Sequence, residues 1–139
     1  MNLKPYSASA LALAGLLLAG MGLYFIFLRP PLLPEDLRYI GLTLQNAKEN
    51  IPSLLNWLQK VFWVMGGYIF TTGLLTIFIA ITSFRKRLNG AFSIVTLAGI
   101  SSIGLMTVVN FMIGSDFKWV LLTFTLPWII GLILYRVHK

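Results

Sequence analysis

The sequence predicts an all-α integral membrane protein, a four-transmembrane-helix bundle with a short amphipathic helix in its first extracytoplasmic loop. Composition is the first reason: of 139 residues, 58% are hydrophobic and 11% charged, against about 45–50% and about 25% in soluble domains. Distribution is the second. Four stretches, 7–28, 61–84, 91–113 and 119–135, contain no Asp, Glu, Lys, Arg or His. Their lengths of 22, 24, 23 and 17 residues match the roughly 17–25 apolar residues a helix needs to cross about 30 Å of hydrocarbon. With a mean hydropathy of +0.84, a single interior of this size cannot hide the apolar side chains from water, so lipid must solvate the rest. Helix is preferred to strand because a spanning segment must satisfy its own backbone, and the period-2 alternation of barrel strands is missing.

Taken in order, span 7–28 follows Lys4 and resembles a secretory signal at its start. Its apolar run continues through Tyr24, Phe25, Ile26, Phe27 and Leu28, beyond the roughly 7–15 residues of a signal core, which predicts an uncleaved anchor. Arg29-Pro30-Pro31 stops that helix, because proline lacks the N–H and disfavours helix in the preceding residue. Loop 29–60 is the one sizeable extramembrane element. Pro34 can restart a helix, and apolar residues then recur at Leu37, Ile40, Leu44, Ala47 and Ile51, spaced 3, 4, 3 and 4, which predicts one amphipathic helix from Glu35 to Ile51. Glu35 and Asp36 would sit at its positive dipole end, and Glu35 would pair with Arg38 one turn on. Pro52 begins the next helix. Leu54, Leu55, Leu58, Val61 and Phe62 keep helical spacing, so the second span should run unbroken to Phe84, 33 residues or about 50 Å, and overshoot the hydrocarbon.

Orientation follows from Lys and Arg beside the helix ends. One side collects Lys4, Arg85, Lys86, Arg87, Arg136 and Lys139, with no carboxylate; the other spreads Arg29, Arg38, Lys48, Lys60 and Lys118 among all four acids, Glu35, Asp36, Glu49 and Asp116. Both termini are therefore expected in the cytoplasm. The net charge of +7 reads as this topogenic signal, with Arg85, Lys86 and Arg87 drawn to anionic lipid headgroups rather than to nucleic acid. Tyr24, Trp57, Trp63 and Trp119 fall near the outer boundary, Tyr6 and Tyr135 near the inner one. Trp128 falls mid-span beside Pro127. Its indole N–H needs a partner there, and a carbonyl freed by the proline is the expected one.

Reactive chemistry is scarce. Without cysteine and with His138 as the single histidine, thiol and zinc chemistry are excluded and no metal or cofactor is expected; His138 reads as a solvated tail residue. No nucleophile–base arrangement or phosphate loop appears. No span holds an ionisable group, which argues against a proton-coupled carrier or voltage sensor. What the chain does hold is small residues. Ala8, Ala12, Gly15, Ala19 and Gly22 recur at 4, 3, 4 and 3 in the first span, and Gly66, Gly73 and Ala80 at seven in the second. In lipid, close backbone approach over such residues supplies helix association; the two rows either meet within one subunit or serve another chain. Hydroxyls at Thr96, Ser101, Ser102, Thr107, Thr123 and Thr125 read as intrahelical glue. Asn110 is the polar side chain suited to orienting a headgroup, and Tyr68, Asn110 and Trp128 are the candidate lining of a ligand cavity. Glu35, Asp36 and Arg38 are the candidate docking point for an outer partner.

The stretch from Gly66-Gly67-Tyr68 through Thr76 and on to Phe84-Arg85-Lys86-Arg87 resembles the second span of DoxX-like small four-helix membrane proteins. That resemblance covers about a quarter of the chain and implies a bacterial inner-membrane protein. The chain departs from the pattern in having Tyr68, not an acid, at the head of the motif. Three functions compete: a non-catalytic accessory subunit packing against other membrane chains or copies of itself, a binding protein for lipid or another apolar ligand, and an oligomeric pore.

Overall fold

The computed structural model describes residues 4–137, with side chains described from Tyr6 onward; His138 lies outside the described residues. Seven α-helices follow one another: α1 (Lys4–Phe27), α2 (Pro34–Ile40), α3 (Leu44–Asn50), α4 (Pro52–Ile79), α5 (Ala91–Gly99), α6 (Leu105–Met112) and α7 (Lys118–Val137). A wider π-helical turn, Ala80–Phe84, extends α4, and another, Ile100–Gly104, joins α5 to α6. The result is four helices long and apolar enough to cross a membrane, Tyr6–Phe27, Pro52–Phe84, Ala91–Met112 and Lys118–Val137. The second starts at Pro52 and spans 33 residues, the length that its spacing predicts.

The segment between the first two spans differs from expectation. Instead of one amphipathic helix there are two short ones, broken at Gly41, whose φ of +71° ends α2 with its N–H bonded to the Leu37 carbonyl. Thr43 then starts α3 by accepting the Asn46 N–H through its side chain at 3.2 Å. Glycine takes the left-handed conformation without a Cβ penalty and the Thr43 side chain caps the new helix start, so the break costs little, and a continuous 3-and-4 spacing that buries little apolar surface does not outweigh it. Of the five spaced residues only Ala47 is buried, while Ile40 and Leu44 stay exposed.

Helix α1 is the spine of the bundle, packed along α4 on one side and α7 on the other, and α7 in turn carries α5 and α6. The contact between α1 and α4 is close. A methyl group built on Gly73 would lie 2.6 Å from the Gly15 carbonyl oxygen, and one built on Gly22 would lie 2.7 Å from the Gly66 carbonyl oxygen. Backbone therefore meets backbone where the two small-residue rows cross, and larger side chains are sterically excluded there. Ala8, Ala19 and Ala80 are also buried, and Ala12 packs against the core.

The second and third spans meet where the Ala80–Phe84 turn touches α5. That half of the bundle is filled. Leu11, Ala14, Phe84, Val95 and Trp128 form a buried core, with the Phe84 ring 4.3 Å from that of Tyr135. The Trp128 indole N–H donates to the Val95 carbonyl at 3.0 Å, so its partner comes from a neighbouring helix and not from the turn before Pro127. The indole lies against Gly99, where an added methyl would press on the ring nitrogen Nε1 and fall 2.7 Å from Cε2. Toward the loop end, beyond Ile100–Gly104, α4 and α6 part. Such π turns insert an extra residue per turn and redirect a helix relative to its neighbours.

Candidate functional site

Between the diverging helices lies a cavity of about 950 Å³, bounded by α1, α4, α6, the start of α7 and the chain around Arg29–Asp36. Its walls are mostly apolar, with Leu17, Met21, Ile69, Leu105, Met106 and Phe124 among them. Gly20 belongs to the same wall, and a methyl added there would meet nothing within 4 Å. This volume is at the large end of the roughly 300–1,000 Å³ typical of small-molecule sites.

The loop end of the cavity is polar. Arg29 follows α1 directly, where the Pro30-Pro31 pair turns the chain, and is only 8% exposed. Its guanidinium donates to Asp36 Oδ2 at 3.0 Å and to the Pro30 carbonyl at 3.0 Å. It also lies 3.5 Å from the Phe62 ring centroid and 5.3 Å from that of Phe25. Stacking of this kind on a desolvated ring is worth about 2 kcal/mol. Burial pulls the guanidinium below its usual pKa, while the Asp36 carboxylate opposes that shift; arginine nevertheless stays charged at any physiological pH. Asp36 Oδ2 also accepts the Leu33 N–H at 2.9 Å, capping α2, and Gln59 on α4 donates to the Arg29 carbonyl. The cluster thus ties α1, α2 and α4 together.

Glu35 is 3% exposed and lines the cavity. Its Oε1 accepts the hydroxyl of Ser115, a residue of the turn between α6 and α7, at 3.1 Å. Gly114, with φ +67°, shapes that turn. The expected Glu35–Arg38 pair is replaced: Arg38 bonds Asp116 at 2.7 Å on the exposed surface. The reason is direction. Glu35 and Arg38 sit three apart on a helix of seven residues, and docking turns Glu35 inward while Arg38 stays at the rim. Glu35, Asp36 and Arg38 therefore do not form one outer docking surface.

The cavity trio expected from the sequence is divided. Tyr68 and Asn110 line the cavity, Tyr68 at its open edge with 73% of its surface exposed. Trp128 lies outside it, in the filled half of the core. Asn110 donates to the Met106 carbonyl of its own helix, and Thr72 and Ser101 donate likewise to Tyr68 and Leu97. The residue that sequence reasoning missed is Arg29. Its signal was present: a cation placed at the end of an apolar span next to Phe25, with Phe62 opening the second.

At the opposite end, Arg85 and Lys86 are exposed, whereas Arg87 turns back onto the bundle. With φ +56°, it donates to the Tyr135 carbonyl at 2.8 Å and lies 4.5 Å from that ring. Arg87 therefore ties this turn to the end of α7. Arg136 lies 4.8 Å from the Phe92 ring beside it.

No known protein family, characterised protein or solved structure matches the chain.

Proposed function

We propose that the protein is a non-catalytic integral membrane protein that binds a lipid or another apolar ligand in the cleft between its second and third spans. The observation that carries this reading is the cavity itself, about 950 Å³, apolar along its walls and polar at one end. An amphiphile matches that gradient, with its chain against Leu105 and Ile69 and its head toward Arg29, Glu35 and Asp36. An opening between helices lets such a molecule enter from the bilayer without crossing water. Orientation is part of the proposal: the basic Arg85–Arg87 turn faces the cytoplasm and the cleft mouth the outer leaflet.

The accessory-subunit reading rested on small-residue rows and an outer loop helix available to a partner. These rows are occupied by the contact between α1 and α4. It keeps one supporting observation, the exposed apolar group Tyr39, Ile40, Leu42 and Leu44 around α2 and α3.

The test is native mass spectrometry of the full chain released from detergent micelles carrying hexadecyl amphiphiles. Retained adducts are expected on the unaltered chain and strongly reduced ones on Gly20→Phe, whose ring fills the open space beside α1. Equal retention by both proteins overturns the proposal.

A further inference from the structure

From the polar end of the cavity we infer that the bound amphiphile carries a positively charged amine head, and that Glu35 is its principal partner; this rests on the cleft-binding reading above. Three charged side chains line the cavity, Arg29, Glu35 and Asp36, which places two carboxyl groups against one guanidinium. Arg29 is already matched. Its charge is balanced by Asp36 and one of its faces is covered by Phe62, and an anion there would also face Glu35.

The hydrogen-bond inventory points the same way. The hydroxyls of Thr72 and Ser101 are spent on their own helices, as is one of the two amide N–H groups of Asn110. Ser115 spends its hydroxyl on Glu35. The Tyr24 and Tyr68 hydroxyls can donate or accept, whereas the carboxylate oxygens only accept. Glu35 uses Oε1 for Ser115, Asp36 uses Oδ2 for both Arg29 and Leu33, and Asn110 uses its Nδ2. Among the described residues, Glu35 Oε2, Asp36 Oδ1 and Asn110 Oδ1 take no side-chain or backbone donor. A group with three N–H donors and one positive charge complements three acceptors and the excess carboxyl. Glu35 matters most, because it is nearly fully buried and charge pairing strengthens where water is excluded.

The experiment compares three amphiphiles of one chain length and different heads, hexadecylamine, hexadecanol and palmitate, by thermal stabilisation of the full chain in a neutral detergent. Hexadecylamine should bind at least about tenfold tighter than palmitate. Glu35→Gln keeps the acceptor for Ser115 and removes the charge, so it should weaken hexadecylamine about tenfold and leave hexadecanol nearly unchanged. Palmitate binding as tightly as the amine, or Glu35→Gln leaving the amine unaffected, overturns the amine assignment while the cleft reading stands. Loss of the distinction between the unaltered chain and Gly20→Phe for all three molecules is the separate failure of the cleft reading. Should Glu35→Gln not fold, the head-group order on the unaltered chain decides alone. Replacing hexadecylamine by dioleoyl phosphatidylethanolamine separates the sources: tighter binding assigns a membrane lipid and weaker binding a free long-chain amine, both supporting the ammonium site.

Discussion

Replacing Gly73 by alanine tests the contact that holds the bundle together. The added methyl would lie 2.6 Å from the Gly15 carbonyl oxygen and 2.9 Å from the Ala19 Cα, where ordinary contact begins at 3.4 Å. Both neighbours are backbone and neither can rotate away, so α1 and α4 must separate by about 1 Å. A gap of about 0.5–1 Å already forfeits a quarter to a half of each dispersion contact along the seam, and overpacking of this kind costs about 1–3 kcal/mol. Alanine also gains about 1 kcal/mol of helix propensity over glycine, which would mask part of the loss. Gly67→Ala separates the two effects, since it lies on the same helix and its methyl would meet nothing within 4 Å. It should stabilise the chain by up to about 1 kcal/mol, so the difference between the two variants measures the steric term alone, about 1–3 kcal/mol. Reversible unfolding in mixed micelles, followed by helical circular dichroism as the denaturing detergent fraction rises, reads that difference. Gly73→Ala proving as stable as Gly67→Ala would refute the close-packed seam.

Three further outcomes follow from individual contacts. Trp128→Phe keeps the ring over Gly99 and removes the donor to the buried Val95 carbonyl, so unfolding should become easier by about 1–3 kcal/mol, with loss of the most blue-shifted tryptophan emission. Ser115→Ala leaves the buried Glu35 carboxyl without its hydroxyl partner; a loss of about 1–3 kcal/mol should appear, together with faster proteolysis in the 41–43 segment as α2 undocks. Arg38→Ala removes a pair whose side chains are 60% and 59% exposed, and exposed pairs are worth about 0–1 kcal/mol. Its unfolding midpoint should therefore barely move, and a large shift would mean that the pair is shielded from water.

The four apolar helices, the unbroken second helix from Pro52, and the glycine and alanine rows are all properties of local spacing and composition, and the sequence alone determined them. Helix formation in such segments is dictated by the backbone's need for internal hydrogen bonds, which no neighbour alters. The break at Gly41 was legible too, in the glycine followed by the Thr43 cap, but it competed with a regular apolar spacing that the structure fully buries only at Ala47. Tertiary structure decided the rest. Whether Glu35 bonds Arg38 or Ser115, whether Trp128 finds Val95 or its own helix, and where α4 and α6 part depend on distances between segments far apart in the chain. A cleft is a place where helices fail to meet. Residue periodicity specifies which face of a helix is small or apolar, whereas the gap arises only when α1 and α7 have fixed the positions of the other two.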